Sequence, residues 1–175
     1  MTPDETKPPN ASIRIRPAEP TDIKDVMRLR EAGVAQGDFP AENEPPPHQD
    51  EDGPLDATNT PEGYWVAEIA PKDAKDRLIV GTIGLRPLDA HVVEARRLYV
   101  EPHYRGRGIG IRLLRQLVET CREMGYLKVV LDVGSGSPRA VRLFSQLGFQ
   151  LAREREFEGR TLLDFYLDIY RDTPR

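Results

Sequence analysis

Val100-Glu101-Pro102-His103-Tyr104-Arg105-Gly106-Arg107-Gly108-Ile109-Gly110 joins a short apolar run, Leu98-Tyr99-Val100, to a long amphipathic pattern that begins at Ile109. That order predicts a strand, a turn, a glycine-rich loop and then a helix N-terminus. A helix N-terminus carries unpaired backbone N–H groups and a partial positive charge, so it attracts anions. Gly106, Gly108 and Gly110 have no Cβ, so a ligand can approach the backbone closely. Arg105 and Arg107 add guanidinium forks suited to phosphate oxygens. The stretch reads as a cradle for a pyrophosphate. Its bland alternative is a glycine-rich turn before an ordinary helix.

Two common phosphate motifs do not fit. A P-loop needs G-x-x-x-x-G-K-[ST], and no Lys-Ser or Lys-Thr follows these glycines. A dinucleotide fingerprint needs G-x-G-x-x-G, whereas Gly106, Gly108 and Gly110 run G-x-G-x-G. Arg105-Gly106-Arg107-Gly108-Ile109-Gly110 instead resembles the R/Q-x-x-G-x-G/A signature of the GNAT superfamily of N-acetyltransferases. Leu98-Tyr99-Val100-Glu101-Pro102 looks like that family's fourth strand and the turn after it. Ser137-Pro138-Arg139-Ala140-Val141-Arg142-Leu143-Phe144-Ser145-Gln146-Leu147-Gly148-Phe149 is similar to its N-x-x-A-x-x-L-Y-x-x-x-G-F segment. The likeness covers the C-terminal half well and the N-terminal half loosely.

The resemblance implies acetyl-CoA, or another short acyl-CoA, as donor. The loop Arg105, Gly106, Arg107, Gly108, Ile109 and Gly110 would take the pyrophosphate. The backbone of Leu98, Tyr99 and Val100 would pair with the pantetheine amides between a splayed fourth and fifth strand. Ser137 and Phe144 would stand beside the same arm. Ser137 occupies a position where the family often has Asn, and could equally cap its helix. The family commonly has Tyr where this chain has Phe144. Phenylalanine cannot donate a proton, so Tyr104 and Tyr166 become candidates for the acid by chemistry alone. Glu94, four residues before Leu98, matches the catalytic glutamate that some members carry on the fourth strand. An ion pair with Arg96 or Arg97 is its structural alternative. The reaction implied is direct attack by a primary amine of a small molecule or peptide on the thioester. A non-catalytic acyl-CoA-binding regulator on the same fold is the competing reading.

Outward from the loop, residues 1–10 are polar and proline-bearing and read as a disordered tail, with residues 11–175 a single domain. Ser12 to Arg16 alternates as a strand. Thr21 or Asp22 can cap a helix striped by Ile23, Val26, Met27, Leu29, Arg30 and Val34. Gly37 to Pro61, with Pro45-Pro46-Pro47 and an acidic cluster, reads as a long loop and, by position in the family, an acceptor-site wall. Strands follow over residues 63–69, 78–85 and 92–100. On the fourth strand Glu94, Arg96, Leu98 and Val100 share a face if no bulge intervenes. The helix over residues 108–124 has Ile109, Leu113, Leu114, Leu117, Val118 and Cys121 at the 3.6-residue period. A largely apolar strand over 127–133 is expected to be central. A helix opened by Ser137 and Pro138 buries Ala140, Leu143, Phe144 and Leu147. Two closing strands cover 149–153 and 162–170. The pattern is an α/β fold of α+β type: a mixed, mostly antiparallel sheet of about seven strands with helices on both sides.

The composition narrows the function. Among 175 residues the hydrophobic share is 38% and the charged share 31%, which suits a globular class. No apolar run approaches the ~20 residues that span a bilayer, and no signal pattern opens the chain. A cytoplasmic location without membrane partners is expected. The net charge of −4 disfavours nucleic-acid binding. One cysteine, Cys121, excludes an intrachain disulfide and reads as a small buried hydrophobe. The three histidines show no metal-ligand spacing, and no metal is expected. A homodimer and the identity of the acceptor amine stay open.

Overall fold

The computed structural model describes residues 12–36, 63–70, 77–157 and 159–170. The expected tail and the whole of the expected acceptor-wall loop, Gly37 to Pro61, lie outside the described residues. In chain order the elements are β1 (Ser12–Pro17), α1 (Ile23–Ala35), β2 (Tyr64–Ala70), β3 (Leu78–Pro87), β4 (Val92–Val100), α2 (Ile109–Glu123), β5 (Lys128–Gly134), α3 (Pro138–Gln146), β6 (Gln150–Phe157) and β7 (Arg160–Asp168). The strands form one seven-stranded sheet in the order β1-β2-β3-β4-β5-β7-β6. Each neighbouring pair is antiparallel except β4 and β5. Parallel neighbours need a crossover, and α2 supplies it. The expected mixed sheet with flanking helices is therefore the observed fold.

The helices sort onto two faces because their apolar stripes find different partners. In α2 every expected stripe residue is buried, from Ile109 to Cys121. They join Trp65, Ala67, Val93, Val129 and Leu131 of the sheet, together with Phe144 of α3. Val26 and Leu29 of α1 instead pack on Val66, Ile79 and Tyr99. Burial pushes the Cys121 thiol up to about 12, so it stays protonated and packs as an apolar group. In α3 only Phe144 is fully enclosed; Ala140, Leu143 and Leu147 are half-buried against the same core. No described helix is long and apolar enough to cross a membrane.

Two local features open the sheet. The β4–β5 ladder runs only through Val92↔Lys128, Val93↔Val129 and Glu94↔Val130. Beyond Glu94 and Val130 the two strands part. The second feature is a bulge in β4. Its pairing with β3 slips between Thr82 and Gly84, and Arg97 takes a φ of 54°. The bulge overturns the strict alternation on β4. Arg96 and Tyr99 lie opposite Gly84 and Thr82, so those two share a face. Leu98 and Val100 turn to the α2 side of the core, while Tyr99 is buried against α1. A left-handed φ on a non-glycine residue costs roughly 1–3 kcal/mol. Arg97 is pinned there in part by its guanidinium, which donates to Tyr64 Oη at 2.8 Å. The Tyr64 ring lies over Gly84, where an added Cβ would sit 2.8 Å from Cε1.

At the other end of the sheet a buried charge cluster fixes the entry to α1. Arg16 donates through Nε to Glu68 at 2.8 Å and through both terminal nitrogens to Asp22 at 2.6 and 2.9 Å. Asp22 stands at the expected N-cap position but makes no side-chain cap bond to α1. Its carboxylate is committed to Arg16 and to the Glu19 N–H at 2.7 Å. Burial raises the Asp22 carboxyl, but those hydrogen bonds and the Arg16 charge outweigh it and hold the group below its ordinary range. A lowered folded-state pKa adds stability above the unfolded value of ~3.9 and loses it as pH falls. Asp22→Asn should cost about 3 kcal/mol at neutral pH, since it leaves Arg16 short of a partner. Urea unfolding from neutral pH down past ~pH 4 should show wild type losing more stability than the variant.

Candidate active site

The glycine loop lies where the sequence places it. After β4 a 3-10 turn, Pro102–Tyr104, leads through Arg105 to Gly106 and Gly108, both at φ 76°. Only glycine adopts that backbone freely. Gly108 is the N-cap of α2, and its carbonyl accepts the Arg112 N–H at 3.1 Å. By helix geometry the N–H groups of Gly108, Ile109, Gly110 and Ile111 precede the first helical bond and point out of the helix end. Nothing lies within 4 Å of a Cβ built on Gly106, so the cradle is open there. At Gly110 the same atom would meet Leu143 Cδ1 at 3.0 Å. That glycine lets α2 close on α3.

The two loop arginines differ. Arg105 turns back onto β4: its Nε donates to the Val100 carbonyl at 2.7 Å and another nitrogen to Gln36 Oε1 at 3.0 Å. Its guanidinium also covers the Tyr99 ring at 5.4 Å. The sequence reading missed Gln36, which ties the end of α1 to this corner and donates to Tyr99 Oη at 2.9 Å. Arg107 is exposed, stacked over Tyr104 at 5.2 Å with a 3.3 Å bond to the His103 carbonyl. It is the loop guanidinium that faces solvent. Arg28 ties α1 to the same turn through an ion pair with Glu101 and a 2.9 Å bond to the Ile79 carbonyl.

Leu98, Tyr99 and Val100 lie past the point where β5 leaves β4, so their edge toward β5 has no strand ladder. Ser137 takes the N-cap position of α3 without a side-chain capping bond. Phe144 is a core residue, edge-on to Phe165 at 5.6 Å and tilted on Phe149 at 6.1 Å. Of the two candidate tyrosines, Tyr166 donates to Gln150 Oε1 at 2.7 Å beneath Lys128.

Glu94 is 5% exposed. Arg86 holds its Oε2 through Nε at 3.1 Å and a terminal nitrogen at 2.9 Å, and Arg96 Nε lies 3.4 Å away. The ion pair expected as its alternative thus includes Arg96, with Arg86 the closer partner. Beside Glu94 the sheet carries a groove of about 220 Å³, bounded by Glu94, Val130, Asp132, Arg155, Asp164 and Tyr166 among others. Asp132 and Asp164 sit directly opposite each other on β5 and β7. Like charges so placed repel. Arg155 bridges them, with 2.9 Å contacts to each, and Arg153 adds a 2.6 Å contact to Asp164. Desolvation pushes the Asp132 carboxyl above its ordinary range; Glu94's charge adds to this and Arg155 opposes it. The sequence reading missed Asp132. Its signal was a carboxylate inside the apolar run Val129-Val130-Leu131-Asp132-Val133. Among the described residues no group of His, Cys, Asp and Glu is arranged to hold a metal ion.

Residues 34–149 match the family model described as Acetyltransferase (GNAT) family. The chain belongs to the GNAT acetyltransferase family. N-acetyltransferase 8B of Homo sapiens is 35% identical over 92 residues, covering 50% of this chain and 38% of that protein. The chain thus spans well under two thirds of the length of such relatives. The thialysine N-epsilon-acetyltransferase of Mus musculus is 33% identical over 172 residues, covering 87% of this chain and 96% of that protein. Among solved structures, Ard1 from Thermoplasma volcanium superposes with a TM-score of 0.71 at 20% identity, covering 91% of this chain and 99% of that one. The yncA protein of Salmonella typhimurium, solved with its cofactor acetyl-CoA, does so at 0.66 and 20% identity, covering 94% and 98%.

At Gly108, φ 76° penalises any Cβ by roughly 1–2 kcal/mol. Gly108→Ala should lower the unfolding free energy by about that amount, read from chemical denaturation without ligand. Gly134→Ala, at a position with no positive φ and nothing within 4 Å of the new Cβ, should change it by less than ~0.5 kcal/mol.

Proposed function

We propose that this chain is an N-acetyltransferase that moves the acetyl group of acetyl-CoA to a primary amine of a small molecule or peptide by direct attack. The observation that carries the reading is the junction of two features: an open cradle of helix-end N–H groups, and the parted β4–β5 edge that runs from it. The names of the relatives support an amine acceptor, and the acetyl-CoA held by the yncA protein supports the donor.

The residues present suit such a donor. The N–H groups of Gly106, Gly108, Ile109 and Gly110 would hold the diphosphate, with Arg107 as the nearby solvent-facing cation. Arg105 would act on the loop indirectly, fixing the corner between β4 and α2 through Val100 and Gln36. The unladdered edge of Leu98, Tyr99 and Val100 would accept an extended amide-bearing arm as a strand accepts a neighbour. Ser137, half-buried at the start of α3, offers a hydroxyl beside that arm. Phe144 supports the arm's surroundings through the core. Acetyl-CoA supplies the activated acyl group; a backbone N–H near Leu98 or Tyr99 would stabilise charge on the carbonyl oxygen. Glu94 places a fixed negative charge at the split, on the face opposite α2 and α3. The amine would therefore enter from the groove side.

One observation favours a second reading, a non-catalytic acyl-CoA-binding regulator. Phe144 has no hydroxyl to protonate the leaving thiolate, and Tyr166 Oη is already bonded to Gln150. The two readings share the cradle and differ in turnover.

Acetyl-CoA at a hundred times its Kd should stabilise the protein by ~2.7 kcal/mol, seen as a rise in Tm. Gly106→Val fills the open side of the cradle and should erase most of that ligand-dependent rise, each variant being compared with itself without ligand. Release of CoA thiol across a panel of amines should then show turnover. Protection without turnover on any amine would favour the regulator.

A further inference from the structure

Resting on the acetyltransferase reading, we infer that Asp132 on β5, rather than Glu94 on β4, is the catalytic carboxylate that receives the proton of the attacking ammonium. Glu94 is the fixed charge beside it.

The three carboxylates of the groove differ in what each already holds. Glu94 is enclosed, 6% of its side chain exposed, with two Arg86 nitrogens and Arg96 within 3.4 Å of one oxygen. Taking a proton there would sacrifice charge-assisted contacts to half-buried guanidiniums. Arg86 would suffer most, since both of its buried terminal nitrogens already lack a hydrogen-bond partner and Nη2 has only its 2.9 Å ion-pair contact with Glu94. Asp164 is likewise held, by Arg153 at 2.6 Å and Arg155 at 2.9 Å. Among the described residues Asp132 shows a single ion-pair contact, Arg155 at 2.9 Å, and a third of its side chain meets solvent.

Position points the same way. The parallel ladder ends at Glu94↔Val130, and Asp132 lies two residues on, on the same face as Val130. It is the first carboxylate on the β5 side of the opening, and it lines the groove. An arm lying along Leu98, Tyr99 and Val100 would present its thioester at this opening. The charged groups facing Asp132 are Glu94 and Arg96 from β4, Asp164 from β7 and Arg155 from β6. Tyr166 from β7 and Arg153 from β6 line the same groove. Desolvation and the Glu94 charge keep the Asp132 carboxylate more basic than an ordinary aspartate, which suits a proton acceptor.

The step balances without a further reagent. The ammonium gives one proton to the Asp132 carboxylate, and the freed nitrogen lone pair forms the C–N bond to the acyl carbon. The C–S bond breaks with its electron pair leaving on sulfur. The nitrogen's second proton goes to that sulfur, and the Asp132 proton passes to solvent.

The test uses Asp132→Asn, Asp132→Glu and Glu94→Gln in the full chain. CoA release is measured from about pH 5 to 9 with L-lysine, L-glutamate, spermine and a tetrapeptide with a free N-terminus. On the best amine, Asp132→Asn should lose at least ~100-fold in kcat/KM together with the acidic limb of the pH profile. Acetyl-CoA should still raise its Tm as in wild type, which separates lost chemistry from lost folding or donor binding. Asp132→Glu should restore part of the rate with its limb. Glu94→Gln should keep the limb but move it to lower pH, because a neighbouring negative charge is gone. Wild-type-like turnover by Asp132→Asn, or loss of the limb in Glu94→Gln alone, overturns the assignment and leaves the acetyltransferase reading standing. Turnover absent in wild type on every amine, with heat protection intact, overturns that reading and this assignment with it.

Discussion

The β4–β5 ladder stops at Glu94 and Val130, and the rest of the site depends on that loss of pairing. In a closed sheet the backbone groups of Leu98 to Val100 would be consumed by β5. The bulge at Arg97 prevents this by adding one residue to β4 and turning its course. The local strain is sustained by neighbours that hold both sides of the bulge. Tyr64 covers Gly84 and accepts from Arg97, while Tyr99 is locked under α1. The sheet is thus firm at β1 to β4 and again at β5 to β7, and open only between the two halves.

The opening has two unlike sides. On one, α2 and α3 present helix-end N–H groups, a glycine that admits close approach and an exposed arginine. On the other, the sheet surface carries carboxylates paired with arginines in a shallow groove. An acyl donor and an amine would thereby meet through the sheet rather than along it. The arginine contacts have a clear ordering effect. Arg105 fixes the corner of the loop and Arg86 and Arg96 fix Glu94, whereas among the described residues Arg155 alone forms an ion pair with Asp132. Glu94 and Asp164 each hold two arginines, and Asp132, with one, is the most exposed of the three.

Much of this was legible in the residues, for reasons that differ by element. The α2 stripe from Ile109 to Cys121 obeys a period long enough to be unambiguous, and each of its apolar residues is buried. The β4 boundaries follow from the punctuation by Pro102 and the alternation before it. The turn of face inside β4 was not legible, because a bulge depends on cross-strand pairing that a single strand's pattern does not carry. The capping expectation at Asp22 fails for a similar reason. Its partner Arg16 is near in sequence, but Glu68, which completes the cluster, is on another strand. Asp132 escaped notice because an aspartate in an apolar run gains meaning only beside Glu94, Asp164 and Arg155, which come from three other strands. Positions 37–61, where sequence reasoning expected an acceptor wall, lie outside the described residues.

The central claim is that a diphosphate binds the backbone amides opening α2 and that its arm lies along the edge of β4 that β5 leaves unladdered. Titration of 15N-labelled protein with CoA, followed by amide chemical shifts, tests it directly. The account predicts large, co-saturating shifts at Gly106, Gly108, Ile109 and Gly110, with Leu98, Tyr99 and Val100 moving on the same binding curve. Saturable binding that leaves those amides in place and shifts others would contradict it.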